Sequence, residues 1–90
     1  MLKLTWTENG LEDLEWWHQH NSKMLKRIIK LSLETCKNPL SGIGKPEPLK
    51  FNLHLQGYWS RRITEGHRFV YAFDHEQVVV IQCRHHYGDR

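Results

Sequence analysis

The sequence predicts an α+β domain in which a two-helix hairpin lies on one face of a mainly antiparallel sheet. Three observations carry this expectation. The chain opens on an alternating segment, continues through two segments with helical spacing of apolar residues, and fills its second half with short alternating or apolar runs separated by tight turns. Ninety residues suffice for one modest core, so a single domain over 1–90 is expected.

The first strand is read from Leu2, Leu4 and Trp6, which alternate with polar residues and share one face. Thr7 is placed to cap a helix whose early acids, Glu8, Glu12 and Asp13, suit its positive N-terminal end. Gly10 should weaken the first turn, and Leu11, Leu14 and Trp17 or His18 should form the buried stripe. Asn21 or Ser22 restarts the helical pattern, with Leu25, Ile28, Ile29, Ser32, Leu33 and Cys36 on the inner face. Asn38-Pro39 stops it.

Residues 39–48 hold three Pro and two Gly, and the expectation is an ordered loop without regular structure. Glu47 stands between Pro46 and Pro48, whose rings stiffen the backbone on both sides of its carboxylate. Taken alone it reads as a glutamate tolerated in a turn. Strands follow at residues 50–55, 58–63, 68–74 and 77–84, joined as sequential hairpins.

Composition narrows the function classes. No apolar run approaches the roughly 18 residues of a membrane span, and Lys26, Arg27 and Lys30 interrupt the most apolar helical segment, so a soluble protein is expected. Met1 to Lys3 lead into alternation instead of an apolar signal region. Cys36 and Cys83 sit in ordinary helix and strand patterns and read as small apolar residues of a reducing compartment, although a disulfide stays open. Formal charge is −3 over residues 1–21, +7 over 22–73 and −1 over 74–90, so a polyanion would be met in the middle. The same lysines also serve a helix that merely faces water.

Alternation divides the strand residues between two faces. Trp59, Arg61 and Ile63 oppose Tyr58, Ser60 and Arg62, while Arg68, Val70 and Ala72 oppose Phe69, Tyr71 and Phe73. At least one of Arg61 and Arg62 therefore points away from the helices, and such arginines beside a tyrosine could hold phosphates while a ring stacks on a base. Ordinary solvent-facing arginines are the competing explanation.

The apolar run Val78 to Ile81 ends in Cys83, Arg84, His85, His86 and Tyr87, a cluster open to three readings: a metal site, a proton shuttle, or surface residues without a task. For a metal, alternation sends Cys83 and His85 one way and His86 the other, short of about four tetrahedral ligands. Covalent catalysis by Cys83 suits a buried strand poorly. Proton transfer fits a wider set. RNA cleavage by internal attack needs a base for the 2′-hydroxyl, a cation for the phosphorane and an acid for the leaving 5′-oxygen, which Glu47, an arginine and a histidine would supply without metal.

Four segments, 44–50 (GKPEPLK), 57–65 (GYWSRRITE), 67–71 (HRFVY) and 83–87 (CRHHY), resemble the YoeB toxins of the RelE/ParE superfamily, in order and over nearly the whole chain. The resemblance implies a RelE-like, microbial-RNase-like fold. It also implies a cytoplasmic type II toxin that cleaves mRNA at the ribosomal A site, is silenced by a YefM-type antitoxin, reaches operator DNA through that complex, and allows a homodimer. By motif, Glu47 corresponds to the general base, Arg68 to the phosphate-stabilising arginine, His86 to the general acid and Tyr87 to a substrate-orienting residue. Lys50 and Arg62, with Arg61 beside it, match phosphate-holding positions; His85 receives no role. No cofactor is implied. The chain departs from the pattern in a longer segment between Asn52 and Gly57 and in the added Gly88, Asp89 and Arg90. A toxin-like RNA- or operator-binding module with little or no cleavage is the alternative from another class.

Overall fold

A computed structural model describes residues 1–49 and 57–86. The order is β1 (Lys3–Trp6), α1 (Glu8–His20), α2 (Ser22–Lys37), β2 (Glu47–Pro48), β3 (Trp59–Thr64), β4 (His67–Phe73) and β5 (Gln77–Gln82). The strands form one sheet, β1-β5-β4-β3-β2, antiparallel except that β1 runs parallel to β5. The two helices cross from one edge to the other between β1 and β2, which is how the first strand comes to lie beside the last.

Both helices begin on side-chain caps. The Thr7 hydroxyl accepts from Gly10 N–H at 3.1 Å and Asn21 Oδ1 from Met24 N–H at 3.2 Å. Asn21 also closes α1, its N–H donating to Trp17 O, so a single residue turns the hairpin.

The buried faces match the expected ones at Trp17, Ile28, Ser32 and Cys36 and differ elsewhere. On α1 the inner residues are Gly10, Asp13 and Trp17, while Leu11 is 52% exposed and His18 is outside. Gly10 does more than weaken a turn, because a Cβ there would lie 2.6 Å from the carbonyl oxygen of Val80. The helix approaches β5 at that point as closely as backbone allows, and this rotation turns Leu11 outward. On α2, Ile28, Leu31, Ser32, Thr35 and Cys36 are buried, with Ile29 and Leu33 about half exposed. Ser32 and Thr35 donate to the carbonyls of Ile28 and Leu31, which lets hydroxyls occupy the core side. Phe69, Tyr71, Ile63, Val78 and Val80 complete the core from the sheet. Both cysteines are buried and free.

Two boundaries also move. Glu47 and Pro48 are a strand, pairing with Ser60 and Trp59, where a loop was expected. β5 ends at Gln82, two residues early, because Cys83 N–H leaves the ladder for Asp13 Oδ2 at 3.0 Å. The expected strand at 50–55 and the longer segment before Gly57 lie outside the described residues.

Candidate active site on the open sheet face

Register assembles a row across four strands: Glu47 opposite Ser60, Ser60 opposite Val70, and Val70 opposite Gln82. Directly paired residues share a face, so these four side chains rise on the same side. Two positions along, Arg62 pairs with Arg68 and so belongs to that side too. The other side carries Arg61, Ile63, Phe69 and Tyr71, all buried beneath the helices. Glu47, Arg62 and Arg68 therefore stand on the helix-free face, where Ser60, Val70 and Gln82 are themselves buried.

A bulge completes the row. The pairing slips between Val70 and Tyr71, so that Val80 faces Tyr71 while Gln82 faces Val70 and Ile81 is the extra residue. Without the slip, Ile81 would occupy the open row and Gln82 would turn toward the helices. The Gln82 amide then donates to the carbonyls of Arg84 and His86, both at 3.0 Å. His86 is in this way tied over the open face by a side chain of the row.

The segment reaching His86 starts on the helix side. Trp17 Nε1 donates to Cys83 O at 2.7 Å, and Asp13 holds the Cys83 N–H, both in buried surroundings. The Arg84 guanidinium lies 3.8 Å from the Trp16 ring centroid, a cation–π contact. His85 takes a left-handed backbone, φ 65°, with its N–H donating to His67 Nδ1 at 2.8 Å and its carbonyl accepting from Arg68 N–H at 2.9 Å. Within four residues the chain passes from the helix side to the open side. Strand alternation beyond Gln82, as read for Cys83, His85 and His86, does not apply to this turned segment.

Arg68 Nη1 donates to the carbonyls of Thr64, Glu65 and His67 at 2.7 to 3.1 Å, holding the guanidinium over the β3–β4 turn. Arg62 is exposed beside it. Arg61 is placed elsewhere. It is fully buried, and its Nη atoms donate to Ile43 O at 3.0 Å, Asn38 O at 2.5 Å and Ser41 O at 3.0 Å. This removes Arg61 from the face expected to hold phosphate and makes it the anchor of the loop that carries Glu47. The Tyr71 hydroxyl helps, donating to Pro39 O at 2.6 Å, and burial pushes its titration upward. Gly44, at φ 81°, lets that loop pass against Arg62, whose N–H donates to Gly44 O at 2.7 Å. Lys50 and Tyr87 lie outside the described residues.

Burial pushes the Cys83 thiol up to about 12, so the thiolate needed for covalent attack is scarce at neutral pH. His67 is lowered by burial first, then by His85, Arg84 and Arg68. Among the described residues no group of three or more His, Cys, Asp or Glu is arranged to hold a metal ion.

Residues 6–87 match the family described as YoeB-like toxin of bacterial type II toxin-antitoxin system. The chain belongs to the YoeB-like toxin family. A YoeB toxin from Synechocystis is 46% identical over 86 residues, covering 96% of this chain and 98% of its own. The YoeB dimer from Staphylococcus aureus superposes with a TM-score of 0.85 at 41% identity, over 96% of this chain and 98% of that one. The heterotetrameric YoeB-YefM toxin-antitoxin complex from the same species gives 0.81 at 39%, over 97% and 99%. The expected family and the expected α+β fold are thus both found.

Asp13, His67 and Gln82 were not singled out in the sequence as parts of this site, and Trp17 was read there only as core. For Asp13 a signal existed, since Gly10, Asp13 and Trp17 have i, i+3, i+7 spacing beside Leu11 and Leu14. Gln82 carried none, because its face depends on the bulge.

Proposed function

We propose that this toxin is a ribosome-dependent mRNA endoribonuclease working by metal-independent acid–base catalysis. The observation that carries the reading is the common helix-free face of Glu47, Arg62 and Arg68, with the backbone of His86 tied to the same face by Gln82. Sheet spacing puts the Cα atoms of Glu47 and Arg68 roughly 12 Å apart, which leaves room for a phosphodiester between their side chains.

In this mechanism Glu47 takes the 2′-hydroxyl proton as that oxygen attacks the adjacent phosphorus. Arg68 turns from the hairpin carbonyls to the phosphorane, where a guanidinium can donate two parallel hydrogen bonds. His86 protonates the 5′-oxygen as its bond to phosphorus breaks, leaving a 2′,3′-cyclic phosphate or, after hydrolysis, a 3′-phosphate. Arg62 and Lys50 hold flanking phosphates and Tyr87 orients the substrate. Arg61 is left out of the contact set because of its burial. An open sheet face with few cations binds RNA weakly by itself, so the ribosome supplies the positioning of mRNA in the A site.

A YefM-type antitoxin is the proposed silencing partner, supported by the S. aureus YoeB-YefM toxin-antitoxin complex. An acidic and apolar segment folding over the basic open face would block it, and that complex would carry the toxin to operator DNA. A homodimer is proposed on the S. aureus YoeB dimer. The site of action is the cytoplasm, where ribosomes are; no described helix is long and apolar enough to cross a membrane.

The test compares one mRNA, free and on programmed ribosomes, incubated with purified protein in the presence of a chelator. Cleavage at A-site codons of the ribosome-bound message only is the expected result. Binding of RNA or operator DNA without any cut would instead support the binding-module reading.

A further inference from the structure

The residue before Arg68 in the chain has no part in the mechanism above, yet it touches the segment that carries the acid. We propose that His67 is a positioning residue for His86: its neutral ring, accepting at Nδ1, fixes the left-handed turn at His85 that brings His86 to the open face. This rests on the acid–base reading of the site.

A non-glycine residue at φ 65° is strained unless its surroundings hold it there. At His85 both backbone groups are held by consecutive residues of β4, the N–H by His67 Nδ1 at 2.8 Å and the carbonyl by Arg68 N–H at 2.9 Å. The second is an ordinary backbone bond. In the first, an imidazole takes the place of a carbonyl acceptor, at the point where the chain turns out of the ladder. Gln82 holds the Arg84 carbonyl of that same peptide and the carbonyl of His86 beyond it, so the two side chains grip the turn together, His67 from the N–H end.

The ring is well seated for this. His67 lies on the helix-facing side of β4, edge-on to Trp17 with centroids 4.9 Å apart and planes at 80°. An incoming N–H needs a lone pair on Nδ1, so the ring proton must be on Nε2. A doubly protonated ring would oppose N–H to N–H and release His85. The facing groups favour the neutral ring. Arg84 and His85 face it from the terminal segment, Arg68 from its own strand and uncharged Trp17 from α1, while Thr64 is its partner in β3. The carboxylate of Asp13 on α1 accepts from Cys83 N–H. Burial and the three neighbouring bases push His67 below its usual range, which keeps the clamp closed at neutral pH and opens it as pH falls.

Two variants separate the acceptor from the ring. His67→Asn carries an oxygen close to where Nδ1 sits and does not titrate; His67→Leu fills the space without an acceptor. Their rates on ribosome-bound mRNA are measured over about pH 5 to 8 under single-turnover conditions, with thermal melts in parallel. His67→Leu should slow the chemical step by about 10–100-fold with half-saturation changed less than about twofold, and His67→Asn should stay within about threefold of the parent at neutral pH. The parent should lose rate toward acid pH more steeply than His67→Asn does. Nitrogen NMR of the parent should show an unprotonated Nδ1 and a protonated Nε2. A folded His67→Leu variant at parental rate, a His67→Asn variant as slow as His67→Leu, or a protonated Nδ1 at neutral pH would each overturn the proposal. If His67→Leu does not fold, His67→Asn and the NMR assignment decide. Should the parent protein leave ribosome-bound mRNA uncut, the acid–base reading itself fails, and the NMR experiment still reports whether His67 holds His85.

Discussion

Replacing Gly10 with alanine sets two physical expectations of opposite sign against each other. Helix propensity alone favours alanine over glycine by about 1 kcal/mol in a helix interior, and less in a first turn. Packing says otherwise. The new methyl carbon would sit 2.6 Å from Val80 O and 3.3 Å from Trp6 Cε3, and the nearer atom is backbone of a strand paired on both sides. Ordinary contact begins at 3.4 Å, 0.8 Å further out, so α1 must lift from β5 or β5 must bend. Overpacking of that kind costs about 1–3 kcal/mol, and subtracting a first-turn propensity gain of roughly 0.5 kcal/mol leaves a net loss of about 0.5–2.5 kcal/mol. For a domain of this length that lowers Tm by roughly 2–20 °C. Urea or thermal denaturation of the purified protein measures it. A Gly10→Ala variant as stable as the parent, or more so, would refute the close approach and with it the reason given for the outward turn of Leu11.

Three further predictions follow from individual contacts. Arg61→Met should destabilise the domain by about 2–4 kcal/mol in urea denaturation, because three carbonyls of the loop at 38–43 lose a charged donor; it should also lower cleavage through the misplaced Glu47 loop. Asp74 accepts from the N–H groups of Glu76 and Gln77, which hold its carboxylate below the ordinary value of 3.8. With the folded titration depressed, its contribution is present above 3.8 and lost as pH falls through the lowered value, so Asp74→Asn should flatten the stability profile in that acid window. A thiol reagent should leave Cys83 unmodified in the native protein at neutral pH and label it once denaturant is added, given a buried thiol titrating at about 12; rapid native labelling would contradict the burial.

Much of the fold was legible because its signals are local. Thr7 and Asn21 announce helix starts through their own hydroxyl and amide, and the strands Trp59 to Thr64 and His67 to Phe73 are bounded by a tight turn at Glu65-Gly66. What was misread depends on contacts distant in sequence. Trp17 is buried as its spacing predicts, but Leu11 is as apolar as any core residue, and the approach of Gly10 to Val80 puts Asp13 inward in its place. Arg61 and Arg62 are chemically alike in the sequence, so which one meets solvent follows from the side of the sheet that the helices cover. The early end of β5 required knowing that a carboxylate on α1 would compete for the Cys83 N–H. The site divides in the same way. Glu47, Arg62 and Arg68 reach one face by pairing and alternation, whereas the path to His86 depends on a bulge and a left-handed histidine that no spacing rule foretells.

In the proposed cleavage step Glu47 and His86 move protons, and primer extension on programmed ribosomes reads this out with Glu47→Gln and His86→Gln beside the parent protein. Each substitution keeps a polar side chain of similar reach while removing the proton transfer, so A-site cuts should fall by about 10²–10⁴-fold in both variants with the folded state retained. Parental cutting by either folded variant would contradict the account and return that residue to the ordinary surface.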